Sequence, residues 1–337
     1  MSIDAARRSL PLRSQKPYAR PVTGIDRAVS TVIEDCMAVQ EGEQVLVVCN
    51  PSTLGLGERL RGAAGRAGAD AMLAMMAERA THGTEPPAAI GSAMKAADVV
   101  LCPTVQSLSH TAARREACEA GARIGTLPHV TEDILGRVML ADMDELKRRG
   151  QAVAKILTDA EEVRITCPGG SNLRLSLKGR TAISDDGDLS AAGAFGNLPC
   201  GEGFISPLHT EGEGTLVVDG TMGSLGLPSE PSTFTVEDGA LVEASGEHGA
   251  RFLELLRGAG EGGTFLAELG IGTNECATLT GNLIEDEKIL GTCHVAFGAS
   301  AGIGGEIQVP IHEDVIILKP TVEADGHPLI SDGVLQV

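Results

Sequence analysis

Tryptophan is absent from this 337-residue chain, tyrosine occurs once and phenylalanine six times. So few rings exclude the aromatic platforms on which single-stranded nucleic acids stack. Positive charge is short as well: 27 Lys and Arg face 46 Asp and Glu, a formal charge of −19 that repels phosphate backbones and argues against a nucleic-acid partner. No run is long and apolar enough to span a bilayer, so no membrane role is expected. The eight cysteines show no C-x-x-C spacing, and Cys49, Cys102 and Cys167 lie in apolar strand-like runs, which fits reduced packing residues in a cytoplasmic protein. A nucleotide fingerprint is missing too, since PSTLGLG after VLVVCN is neither a dinucleotide motif nor a P-loop.

What is present falls into three parts. Residues 1–21 carry Arg7, Arg8, Arg13, Lys16 and Arg20 around no continuous apolar core, and read as a loose basic arm instead of a secretory signal. Over 22–160 helical periodicity alternates with apolar runs: a helix at 22–39, the buried strand EQVLVVCN, a helix at 54–67, then DAMLAMMA, PPAAIGSAMKAA, DVVLCP, a helix after Ser109 and ARIGTLP. Such alternation predicts an α/β N-terminal domain, a doubly wound parallel sheet. One long charged helix over 131–159 is expected to connect it to the remainder. From 161 to 337 short strands alternate with Gly, Asn and Asp turns, predicting a β-rich α+β C-terminal domain that binds metal, with a single helix near 248–256.

The chemistry concentrates between Glu268 and Asp314. Imidazole nitrogen and carboxylate oxygen suit Zn²⁺, Mn²⁺, Co²⁺ or Fe²⁺. Side chains two apart on a strand share a face, so His312 and Asp314 in IQVPIHEDV project together, away from Ile307, Val309 and Ile311. In CHVAFG, His294 shares its face with Ala296 and Gly298, while Cys293 points away; in ELGIGTN, Glu268 shares its face with Gly270 and Gly272. Small neighbours leave room for an ion and a ligand where a packed core would place Leu or Val. Upstream, Glu202 stands between two glycines after Pro199, exposed by a turn; alone it reads as an ordinary turn acid. His209, seven residues on, is placed to donate to a substrate oxygen. Glu287, in EDEK, reads equally as a solvated loop residue or a ligand. Gly302–Gly305 marks flexibility, Asp185–Asp188 an exposed turn, and Ser109 a helix N-cap beside an incidental His110.

Taken together, NLPCGEGFISP, ELGIGTN, DEKILGTCHVAFG and the HED of PIHEDV resemble the motifs of the aminopeptidase T/aminopeptidase S family of metallopeptidases, and SLSHTAARREACEAGARIGTLP is similar to that family's first domain. The resemblance implies an α/β domain followed by a β-rich one, a homodimer, and a two-metal centre with Glu202, Glu268, His294, His312 and Asp314 as ligands and Glu287 as a further candidate. One departure is that Ala301 stands where peptidases of the family carry a Tyr, seven residues beyond His294. A branch on the same scaffold, the 2,5-dihydroxypyridine 5,6-dioxygenases, holds one Fe²⁺ on a His, His, Asp set, with a His in the place of Glu268.

Retention of Glu268 and His294 leads to the expectation of a cytoplasmic, aminopeptidase-like metallohydrolase that cleaves an amide bond in a small substrate or short peptide. Two divalent ions (Zn, Co or Mn) would activate water and polarise the carbonyl, with Glu202 or Glu287 handling the proton and His209 as outer donor. The alternatives are a non-haem Fe(II) ring-cleaving dioxygenase of the dihydroxypyridine type, built on His312 and Asp314, and a non-catalytic metal or small-molecule binding protein.

Overall fold

The computed structural model describes residues 24–337; the basic arm expected over 1–21 lies outside the described residues. Helix α1 (Gly24–Thr31), continued by a π turn over Val32–Cys36, leads into β1 (Gln44–Cys49). The chain then alternates α2 (Leu54–Arg66), β2 (Asp70–Met75), α3 (Ala88–Ala96), β3 (Val99–Cys102), α4 (Ala112–Glu119) and β4 (Arg123–Thr126), followed by α5 (Glu132–Val138) and α6 (Met143–Asp159). The strands form a parallel sheet in the order β2-β1-β3-β4, and a short later strand, β8 (Phe195–Asn197), adds parallel to β4. The unbroken apolar run in β1 follows from burial on both faces. Val45 and Val47 pack with Leu56 and Leu60 of α2 and Leu135 of α5, whereas Leu46 and Val48 pack with Met94 of α3 and Ala117 of α4. This is the expected doubly wound α/β domain.

The single helix expected over 131–159 is instead two. The first ends at Val138, and Asp142 caps the second, its side chain accepting from the Glu145 amide. The cap of α4 also differs from expectation. Thr111 performs it by accepting from the Arg114 amide, while Ser109 is spent on Thr126 and Asn197.

The second half contains β5 (Glu162–Thr166), β6 (Asn172–Ser176), β7 (Ile183–Asp185), β9 (Glu202–Ile205), β10 (Gly212–Val218), β11 (Ser232–Glu237), β12 (Ala240–Ala244), α7 (Gly246–Gly258) and β13 (Leu266–Gly272). A four-residue helix α8 (Leu283–Asp286), unforeseen in the sequence, precedes β14 (Cys293–Gly298), β15 (His312–Ile317), β16 (Thr321–Ala324), β17 (His327–Ser331) and β18 (Val334–Leu335). An eight-stranded sheet, β12-β11-β10-β6-β5-β16-β17-β18, lies over a five-stranded one, β15-β14-β13-β9-β7. Between them sits one apolar layer, with Leu173, Leu175, Leu216 and Phe234 from the larger sheet and Leu269, Ile271, Val295, Phe297, Val315 and Ile317 from the smaller. Phe234, Phe252 and Phe297 meet there with ring centroids 5.5–6.3 Å apart, so half of the chain's phenylalanines lock the two sheets and α7 together. Because alternate side chains bury into this layer, the smaller sheet has a second face free for chemistry.

Candidate metal centre

Register decides what that second face carries. Directly paired residues on neighbouring strands point the same way. Glu268 pairs with Ala296 and Ala296 with Asp314; Gly270 pairs with His294; Gly272 pairs with Glu202 and Glu202 with Asp185; Gly298 pairs with His312. Acids and imidazoles thus alternate with Gly and Ala across the sheet. The small residues are required by space: a Cβ on Gly270 would lie 1.9 Å from His294 Nε2. Cys293, on the apolar side, is fully buried, and burial raises its thiol far above the ordinary range.

Two groups of donor atoms result, each with all its atoms within 4.8 Å of one another: Glu202, Glu268 and His294, and Glu268, His312 and Asp314. His294 Nε2 lies 3.1 Å from Glu202 Oε2 and 3.4 Å from Glu268 Oε1, and His312 Nε2 lies 3.4 Å from Glu268 Oε2 and 3.6 Å from Asp314 Oδ2. Glu202 Oε2 and both ring nitrogens of His294 are buried yet make no aligned hydrogen bond. Buried polar atoms are normally satisfied, so acceptors that converge without partners fit a cation ligand set. His312 is anchored differently: Nδ1 is 2.7 Å from the Ala299 carbonyl, a contact that places a ring N–H there and turns Nε2 toward the carboxylates. Its side chain is one-third exposed, at the solvent-facing edge of the donor cluster.

The electrostatics are those of a cation site. Burial works against the charge on Glu268, but the neighbouring His294 and His312 imidazoles outweigh it and hold the acid at about 2. For His312 burial is again opposed, by Asp314 and Glu268, and the imidazole is pushed up to about 10. Asp314, desolvated more than His312 compensates, rises to about 6.

Sequence reasoning missed the strongest partner of Glu202. Lys288, its side chain 1% exposed, sets Nζ 2.5 Å from Glu202 Oε1, 2.7 Å from Glu287 Oε1 and 3.3 Å from Asp185 Oδ2. Glu287 therefore sits beside the lysine, pushed up by burial to about 8 despite that cation, and Asp185 rises likewise to about 7. Asp185 had read as an exposed turn residue and Glu287 equally as a solvated loop residue or a ligand, because the acidic runs EDEK and DDGD look the same in sequence whether they face water or a buried lysine. His209 is not drawn into the cluster. Its ring stands edge-on to Phe265 at 5.6 Å. His110, set aside in sequence, lies close enough to His312 for that imidazole to lower its pKa after burial has done so. The loop entering α4 from the parallel sheet thus reaches the cavity mouth.

A family model described as NicX: 2,5-dihydroxypyridine 5,6-dioxygenase matches residues 25–337. A 2,5-dihydroxypyridine 5,6-dioxygenase from Pseudomonas putida KT2440 is 23% identical over 257 residues, 72% of this chain and 71% of the relative. The solved structure of the dihydroxypyridine dioxygenase of the same strain superposes with a TM-score of 0.81 at 19% identity, covering 94% of this chain and 99% of that one. Wild-type AmpT from Thermus thermophilus superposes with a TM-score of 0.69 at 17% identity, covering 93% and 99%. At such identity both structural likenesses are likenesses of fold.

These findings overturn the expectation of an aminopeptidase T/S member and, with it, of a zinc-type amide hydrolase acting on peptides. The motifs behind that expectation describe a strand scaffold on which AmpT and the dioxygenase both superpose, and so do not specify the reaction. The pair of Zn, Co or Mn ions is corrected as well. The donor atoms fall into two groups that share Glu268, Glu202 with Glu268 and His294, and Glu268 with His312 and Asp314, and each is a three-donor set of the kind a single Fe(II)-type ion takes. With its match running from the first helix to the last residue, the chain belongs to the NicX family of 2,5-dihydroxypyridine 5,6-dioxygenases.

Proposed function

We propose that this protein is a non-haem Fe(II) ring-cleaving dioxygenase whose substrate is a small dihydroxylated nitrogen heterocycle. The observation that carries the reading is the facial group of two carboxylates and one imidazole on a Gly- and Ala-lined strand face, in a chain of this family. Glu268 would hold the ion, with Glu202 and His294 on one side of it and His312 and Asp314 on the other. Bound there, Fe(II) supplies the redox-active centre that dioxygen and a hydroxylated ring require. The protein's own contribution is placement. Gly270 makes room for the His294 ring and Gly272 for the Ile289 backbone, and His312, fixed through the Ala299 carbonyl, presents Nε2 at the solvent-facing edge, within reach of a substrate hydroxyl. His110, from the loop entering α4, lies near His312.

The test is oxygen uptake. Protein loaded anaerobically with Fe(II) is expected to consume about one O₂ per 2,5-dihydroxypyridine and to bleach its ring absorbance, whereas the Zn(II)-loaded form consumes none. His294→Ala should lower both Fe(II) affinity and turnover by more than the ~10–100-fold that loss of an outer-sphere partner costs. Equal activity with Zn(II), or no oxygen uptake with dihydroxylated heterocycles, would overturn the proposal.

A further inference from the structure

Three histidines outside the donor cluster stand on three different loops at one edge of the parallel sheet. His82 lies between β2 and α3, His110 between β3 and α4, and His129 between β4 and α5, and all three are exposed. These loops leave the carboxyl ends of parallel strands, the edge at which doubly wound sheets take ligands. The His82 and His129 rings lie 5.3 Å apart between centroids. A carboxylate gripped by two N–H donors at about 2.9 Å each needs rings set at about this spacing. His82 is preset for such a contact: its Nδ1 accepts from the Ser107 amide at 2.9 Å, so the ring proton sits on Nε2, away from the backbone. His129 holds its place at a conformational cost, with φ at 55°, where a Cβ is strained and glycine is not.

The surroundings are basic, in a chain of formal charge −19. The charged groups that act on His110 are His312, Arg114, Arg115 and His82, and Arg115 Nη1 donates to the His110 carbonyl at 2.9 Å. Glu78 and Glu85, the acids of the His82 loop, are taken up by the Ser52 hydroxyl and by the Ala112 and Ala113 amides; the other two loops carry no acid. His110 links the pair to the donor cluster. A Cβ on Gly83, next to His82, would lie 3.9 Å from His110 Cβ, and one on Gly302, in the loop leading to β15, 3.8 Å from His110 Cε1.

We propose that His82 and His129 form a carboxylate-binding site, and that the ring substrate of this protein is an anion, a dihydroxylated pyridine bearing a carboxylate. The inference rests on the reading of the centre as a ring-cleaving one and goes beyond it by naming the substituent. The hydroxylated side of the ring meets the donor cluster, and a carboxylate at C3, across the ring from the C5–C6 bond, is held by the two imidazole N–H groups. Hydrogen bonds to an ionised acceptor are stronger than those between neutral groups, so the substituent adds affinity as well as orientation.

Binding is measured anaerobically on Zn(II)-loaded protein by titration calorimetry, with 2,5-dihydroxypyridine and its 3-carboxylate as the probes. The parent is expected to bind the carboxylate at least ~10-fold more tightly, the gain of one charge-assisted contact, and the preference should shrink as salt is raised. His129→Gly removes the ring while suiting the backbone, so it is expected to melt no lower than the parent and yet to bring the two affinities together; His82→Asn should bring them together too. Equal affinity of the parent for the two rings overturns the proposal, and so does a preference that survives in both folded variants. Oxygen uptake by the Fe(II)-loaded parent with the unsubstituted ring, combined with equal binding, would leave the reaction standing and this site refuted. A carboxylate preference that is lost in His129→Gly, in a protein that takes up no oxygen, would support the site and refute the reaction.

Discussion

At the scale of single residues, the centre depends as much on missing side chains as on ligands. Gly270 pairs across the sheet with His294, and any Cβ there would occupy the position of Nε2. Gly270→Ala is therefore expected to cost about 1–3 kcal/mol of stability through overpacking and to weaken metal binding by displacing the imidazole. Thermal melting together with Mn(II) titration checks both; unchanged affinity would show that the ring has another position from which to serve. The small residues beside Glu268 and His294 were legible in sequence, since a period of two fixes which residues share a face. Lys288 was not, because nothing in EDEK says which of its charges turns inward.

At the scale of elements, the short helix α8 matters because it places Glu287 and Lys288. Its Glu285 is fully buried and receives Arg137 of α5 in a two-pronged contact, Nε at 3.0 Å and Nη2 at 2.8 Å, with further donation from Thr278. Arg137 is thus the tie between the α/β domain and the segment that delivers the lysine. Truncating one partner of such a pair leaves a buried charge uncompensated, so Arg137→Ala should lower stability by about 3 kcal/mol, the lower end for a buried pair, because the guanidinium is partly exposed. A denaturant midpoint unchanged from the parent would contradict this. Neither the helix nor the tie was readable in sequence: four residues carry too little periodicity, and 148 residues separate the partners.

At the scale of the whole molecule, the parallel sheet and the small antiparallel sheet approach each other through loops rich in histidine. His82 and His129 have ring centroids 5.3 Å apart, and His110 stands near His312. Partial burial and then the charge of His129 lower the pKa of His82, and burial and then His312 lower that of His110. The sign follows from linkage. With folded-state values below about 6.5, the unfolded chain binds more protons, so these two groups favour the folded state above that pH and oppose it increasingly as pH falls through the folded values. A proton-detected titration should place the His82 midpoint below about 6.5, and His129→Asn should move it upward; a midpoint at or above the ordinary value would refute the coupling. Among the described residues no helix is long and apolar enough to cross a membrane.

By itself, the sequence determined the two textures of the chain and the parity of its ligand-bearing strands, because burial on one or both faces leaves a period that can be read locally. It also named Glu202, Glu268, His294, His312 and Asp314 as one set, which the fold gathers on one sheet face. Only the tertiary structure decided which charges stand around that set. Register brings Asp185 beside Glu202, and the turn after α8 swings Lys288 between them. The balance of charge in a cavity is a property of which residues meet in space, and the residues that set it here come from strands and turns about a hundred positions apart.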